Sequence, residues 1–320
     1  MKTPFFLLLG LWTLAFAGCE QIIDPNDKNF EPEIFVYGLV GPGELPKIFL
    51  TETQSNQGWL EQASEFGYPR GLDVTVLVNG QTQTLIEKEG LNTFYNYAIQ
   101  GMDTSYTVFY EGDMPLPDSG SYQLSLQYQG KEIKATTQIP AMIVLDSAYN
   151  EVIQYEEGGY SWQENVILVA FTDKVGSSEG YRVQFGYSGF LRQPSFDSSG
   201  QFIGFLDTTF IKKSDFSRTI SDQGIDGQKM EIAIVPYINM IPQTETLPDG
   251  SQRQYYTVWV ILETQSKALT SFQLSAEDQS SAYADPFVEP IFLKSNIEGG
   301  LGVFGAYQRS DTVWIKYYRW

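Results

Sequence analysis

One cysteine, no histidine and 39 acidic residues decide what chemistry this chain can carry. The cysteine is Cys19, directly after Phe16-Ala17-Gly18. Lys2 gives a basic start, and Pro4 to Ala17 (PFFLLLGLWTLAFA) is an apolar run. A secretory signal has this layout: a basic end, an apolar stretch of roughly 7–15 residues, then small residues at the cleavage site. The run falls short of the ~20 apolar residues that cross a bilayer as a helix. The spacing therefore predicts cleavage after Gly18 and lipidation of the Cys19 thiol; the alternative is an ordinary signal peptide with a chance cysteine. Lipoprotein signals usually carry Leu or a similar aliphatic three residues before the cysteine, where this chain has Phe16. Two or more acyl chains on Cys19 would anchor the protein stably.

With no histidine, Ser-His-Asp and Cys-His nucleophile systems are excluded, and so is any zinc site built on imidazole. Cys19 alone builds no thiolate metal site or internal disulfide. What survives is carboxylate chemistry, a Ser-Lys dyad, or a hard-cation site of oxygens. Glycosidases need two placed carboxylates. Glu156-Glu157 and Glu87 with Glu89 are candidates, but in an acidic chain no pair stands out. Asp222 to Gly227 and Pro248-Asp249-Gly250 lack the ligand density of a calcium loop and read as turns. Asp197-Ser198-Ser199-Gly200 likewise reads as a hairpin turn. Gly300 to Gly305 spells G-x-G-x-x-G, yet only 15 residues follow Gly305 and the segment is poor helix material. Its glycines instead suit backbone passing close to a neighbouring strand or surface. No catalytic residue, metal or cofactor is expected.

The aromatics raise a different chemistry, stacking on sugar rings. Trp59 and Trp162 lie in polar, loop-like stretches (NQGWLEQ and YSWQENV) and are the candidate ligand-binding pair. Trp259 and Trp314 lie in apolar strands and read as core. The alternative for all four is packing, the commoner use of aromatics in β proteins.

These residues need elements to hold them. The 320 residues suggest two domains of ordinary size, with 42% hydrophobic and 15% aromatic residues to fill their cores. The formal charge is −19, and removing residues 1–18 with their single lysine makes it −20. Such a surface repels phosphate backbones, which argues against a nucleic-acid partner and against flat contact with anionic lipid. Residues 19–32 read as an acidic tether carrying Glu20, Asp24, Asp27 and Glu31. Residues 33–140 read as an immunoglobulin-like β-sandwich. Leu72, Val74, Val76 and Val78 alternate with other residues, and Asn79-Gly80 follows as a type I′ hairpin signal. Tyr122, Leu124, Leu126 and Tyr128 alternate again, and Asp118 to Leu124 resembles a tyrosine corner, giving Tyr122 a structural role. Ile139-Pro140 to Asp146 reads as the connection. Residues 141–320 read as a second β-rich domain with one or two short helices, the best being Ser266 to Glu277, where Ser266 caps and Leu269, Phe272 and Ala276 share a face.

The start CEQIID, the segment IFVYGLV, the stretch SGSYQLSLQYQGKEIKATTQIP and the closing DPFVEPIFLKSNIEGGLGVFGAY resemble the Bacteroidota lipoproteins classed as domain of unknown function 4249. The resemblance runs from Cys19 to about Tyr307 and implies the same layout: lipidated cysteine, N-terminal sandwich, β-rich second half. It implies acids after the cysteine acting as a surface-export signal, with a solvated linker as the plainer reading. It also implies a partner, a TonB-dependent outer-membrane receptor, and carries no catalytic residues. The expectation is a non-catalytic outer-membrane lipoprotein, anchored by lipid and facing outward, accessory to such a transporter. The alternative is a surface lipoprotein binding glycan, or peptide, through exposed aromatics. A carboxylate-dependent hydrolase is the third reading.

Overall fold

A computed structural model of the chain describes residues 31–53, 67–96, 101–177, 179–236, 238, 241–283 and 292–318. Cys19 and Trp59 lie outside these residues. The chain is mainly β, as the alternating patterns require. It begins with β1 (Ile34–Val40) and β2 (Lys47–Glu52), then the pairs β3 (Thr75–Val78) and β4 (Gln81–Thr84), β5 (Ile86–Asn96) and β6 (Gly101–Glu111), and β7 (Ser121–Tyr128) and β8 (Lys131–Gln138). The second half adds β9 (Leu145–Glu157), β10 (Tyr160–Thr172), β11 (Gly180–Phe196), β12 (Phe202–Ser221), β13 (Lys229–Ile234), β14 (Gln243–Thr246) and β15 (Gln252–Gln265). Helix α1 (Lys267–Tyr283), β16 (Leu301–Arg309) and β17 (Val313–Tyr318) follow.

Turn chemistry sets the tight hairpins. Asn79 and Gly80 take φ of 48° and 82°, and Gln129 and Gly130 take 49° and 78°. Positive φ at both central positions matches the twist of the flanking strands. Tyr122 lies fully buried in β7, and its hydroxyl donates to the Pro117 carbonyl at 2.7 Å, the upstream bond that defines a tyrosine corner.

Two sheets enclose the first core. Val76, Leu124, Leu126, Ile133 and Ala135 of the β4-β3-β7-β8 sheet face Ile34, Val36, Ile48 and Leu50. Phe304 and Ala306, from β16, belong to this same core, as does Ile297. Burying a side chain the size of Phe304 or Ile297 contributes about 1.5–3 kcal/mol, so the sandwich depends on residues far along the chain. Residues 33–140 therefore do not by themselves supply every strand and core residue of the first sandwich. A second core lies between the β13-β10-β9 sheet and β11, β15 and β17, filled by Phe171, Tyr181, Phe185, Val258 and Leu262 among others.

Strand β16 joins the halves. It pairs parallel with β1, Phe35 opposite Leu301 and Val40 opposite Ala306, and antiparallel with β15, Gln265 opposite Tyr307. One sheet of ten strands results, ordered β12-β11-β15-β16-β1-β2-β6-β5, with β14 and β17 also pairing with β15. Glycine makes the parallel approach feasible. At Gly302, φ is +108° and an added Cβ would stand 2.0 Å from the Val36 carbonyl oxygen.

Ser266 turns β15 into α1. Its hydroxyl accepts from Ala306 N at 3.0 Å and from Leu269 N at 3.5 Å, so it holds β16 as well as the helix start. Leu269 and Phe272 are buried as their shared face requires. The helix runs past Glu277 to Tyr283, since no proline intervenes before Pro286. The expectation for both strand tryptophans is corrected: Trp314 is not core but 53% exposed, and Trp259 is only half-buried and belongs to none of the buried clusters. Strand alternation turns Val313, Ile315 and Tyr317 towards the second core, which leaves Trp314 on the other face, opposite half-buried Trp259.

Candidate binding site

Strand β1 is apolar on both faces. Ile34, Val36 and Val40 face the first core, while Phe35, Tyr37 and Leu39 point the other way. A strand surrounded on one side only would have shown polar residues at those alternate positions. On that outer face, helix α1 lays Leu269 and Phe272 against Phe35, Tyr37, Val303 and Tyr307. The Phe272 ring centre is 6.2 Å from that of Phe35 and 6.3 Å from that of Tyr37.

Beside the helix the same face is open. Register places Tyr37 opposite Phe49, and Phe49 opposite Phe109. Lys47 stands opposite Leu39 and Glu111. Tyr37, Leu39, Phe49 and Tyr307 thereby line the floor of a cavity of about 460 Å³, with Glu44, Lys47 and Glu111 at its rim. A cavity of this size, mostly apolar with a few placed polar groups, is the usual form of a small-ligand site.

The rim charges are fixed in pairs. Glu44 accepts from the Tyr307 hydroxyl and from Arg309 Nη1 at 2.9 Å. The Arg309 guanidinium lies over the Tyr307 ring at 4.5 Å, and its Nε reaches Glu263 at 3.3 Å. Glu263 is buried and also accepts from Gln184 at 2.8 Å and Gln265 at 2.7 Å. Glu111 accepts from Lys88 at 2.5 Å and pairs with Lys47 at 3.2 Å. The bond from Lys88, seconded by Lys47, holds the Glu111 carboxyl below its ordinary range, so it is ionised at neutral pH. Burial, then the bond to Glu44, pushes the Tyr307 hydroxyl up, so it stays a donor. The site thus combines aromatic contact surface with oriented donors and acceptors.

The residues singled out from sequence fall elsewhere. Trp162 is 40% exposed on β10 and stacks on Tyr155, ring centres 5.5 Å apart at 16°. Glu156 and Glu157 end β9 at the tip of the same hairpin. Glu87 and Glu89 both pair with Arg70, and Glu87 also accepts from Gly71 N at 2.6 Å and from Tyr110, so it is engaged in fixing the chain at 69–72. Asp197 and Asp249 each cap their own turn by accepting from Ser199 and Ser251. Asp226 accepts from Gly176 N at 2.6 Å. Among the described residues no group of three or more Asp, Glu, Cys or His side chains could hold a metal ion. Gly300, Gly302 and Gly305 pack against Ile34, Val36 and Leu269, which is the close-packing role their composition suggested. The cavity residues were missed as a group, although the two-sided apolar pattern of IFVYGLV was the signal that something covers both faces.

The chain belongs to the family described as Domain of unknown function (DUF4249), whose model matches residues 20–312. No curated protein matches. Among solved structures it is similar to one titled "Crystal structure of bovine butyrophilin", at 11% identity over 65% of this chain and 100% of that one, with a TM-score of 0.15.

Proposed function

We propose that this chain is a non-catalytic outer-membrane lipoprotein of the Bacteroidota, held by acyl chains on Cys19 and facing outward. There it serves as an accessory binding partner of a TonB-dependent transporter. The observation that carries this reading is a set of two-stranded ribbons that outrun their sheets. Strand β15 pairs with β11 only over Gly180 to Ser188, while β11 and β12 continue together to Phe196 and Phe202. Strand β13 covers β10 only over Ile167 to Thr172, while β9 and β10 continue to Glu157 and Tyr160. A two-stranded ribbon alone is marginal in water, yet these ends carry apolar side chains: Phe196 at 56%, Phe202 at 50%, Ile203 at 63% and Tyr160 at 79% exposure. Apolar groups gathered at such tips mark surfaces that a partner covers.

The test is affinity purification of the tagged full chain from solubilised outer membrane, with the captured receptor identified by mass spectrometry. A TonB-dependent receptor should co-purify, and Phe196→Ser with Phe202→Ser should cut its recovery several-fold without lowering the melting temperature. Recovery of no such receptor, or recovery indifferent to both changes, rejects the reading. Glycan binding at exposed aromatics is the second reading. It is favoured by one observation, the stacked and partly open Trp162 on Tyr155.

A further inference from the structure

We propose that the cavity on the outer face of β1, β2 and β16 is a saccharide site, and that it takes a neutral sugar chain. Three features argue for that class. The half-buried rings of Tyr37 and Phe49 supply aromatic surface of the kind that packs against the apolar C–H faces of pyranoses, while Tyr307, buried beneath Arg309, backs them. The polar groups at the rim are rigid before any ligand arrives. Glu44 is clamped between the Tyr307 hydroxyl and Arg309, and Arg309 is itself clamped by buried Glu263. Preorganised acceptors and donors of this kind suit vicinal hydroxyls, which must otherwise give up water without return. The charges balance across the site: Arg309 is shared by Glu44 and Glu263, and Glu111 is shared by Lys47 and Lys88. An anionic ligand would have to displace a carboxylate from its cation, and a cationic ligand would have to displace Arg309 or a lysine. A neutral polyol does neither, since a paired carboxylate retains lone pairs for a hydroxyl proton.

This site is separate from the ribbon tips, so the inference stands or falls independently of the transporter reading. It is also separate from Trp162. The experiment is calorimetry and affinity electrophoresis on the full chain purified in mild detergent, with no transporter present. The probes are maltohexaose, cellohexaose, xylohexaose and mannohexaose, with a polygalacturonate hexamer and hexalysine as charged comparators. At least one neutral hexasaccharide should bind, and its affinity should change less than twofold between 50 mM and 500 mM NaCl. Phe49→Ala should weaken binding at least tenfold, as should Glu44→Gln, whose partly exposed side chain leaves the fold intact. Trp162→Ala should leave affinity unchanged. Thermal melts on each variant separate loss of binding from loss of fold. If Phe49→Ala fails to fold, Glu44→Gln alone decides. Binding of none of the neutral probes at millimolar concentration overturns the proposal. So does binding that survives Glu44→Gln, binding abolished only by Trp162→Ala, or preference for a charged comparator.

Discussion

Single residues in this protein do their work by where they place one polar atom. Tyr122 brings one hydroxyl into the first core and satisfies it on the Pro117 carbonyl. Tyr122→Phe keeps the ring and strands that carbonyl, so unfolding of the full chain should be easier by roughly 0.5–1.5 kcal/mol. Urea melts with an unchanged midpoint would show that the carbonyl finds water instead. Asp222 works in the opposite sense. Burial, then the neighbouring carboxylates of Asp173, Asp226 and Glu179, raise its pKa above the ordinary value. An acid raised on folding keeps its proton in the folded state where the unfolded chain has already lost it. Its contribution is therefore complete below the unfolded value of about 3.9 and is lost as pH rises through the folded value. At pH 7 the ionised carboxylate is a cost. Asp222→Asn should raise the denaturation midpoint at pH 7 and flatten the fall in stability between about pH 4 and neutrality. A lower midpoint at pH 7 would mean that the carboxylate is bound to something that rewards its charge.

At the scale of elements, β16 is the sensitive strand. Gly302 has a φ that L side chains rarely adopt, and its Cβ position is occupied by the Val36 backbone. Gly302→Val should destabilise by about 1–3 kcal/mol from overpacking, with the positive φ adding to it. Far-ultraviolet thermal melts check this, and a normal melt would show that β1 and β16 do not pair as described. Much of the strand inventory was legible in the sequence. Alternation at Tyr122 to Tyr128 survives intact because β7 has one face on a core, whereas in β11 Tyr181, Val183, Phe185 and Tyr187 fill the second core and Gln184 on the other face is buried too. Asn79-Gly80 gave its hairpin directly, since the signal lies within four residues. Trp314 misled because Val313-Trp314-Ile315 is apolar throughout, and only the cross-strand neighbours reveal which residue faces out. The length of the β11–β12 ribbon was not legible either, since a ribbon end without a core on one side imposes no alternation. The cavity was hidden for a third reason. Tyr37, Phe49 and Tyr307 meet through the pairing of β1 with β2 and of β1 with β16, and no local pattern records a partner 260-odd positions away.

For the whole molecule, the interlock of the halves has a direct test. The fragment 33–140 lacks β16, and with it Phe304, Ala306 and Ile297 of the first core. It should not melt cooperatively on its own. A permuted fragment that places residues 296–310 ahead of residue 33 through a flexible linker should recover cooperative unfolding. Cooperative unfolding of 33–140 alone would show that β16 is an addition to a self-sufficient sandwich. The same interlock sets a schedule for synthesis. Strand β1 is among the first described residues to be made, yet its parallel neighbour is completed only at Arg309. Until then the β1 edge is unpaired and the first core is short of its last members. Order of synthesis therefore keeps the first sandwich from closing until β16 has been made. A copy cut short before residue 301 would never close that seam. It would present an open β edge, a template for pairing with other chains and an opening for proteases.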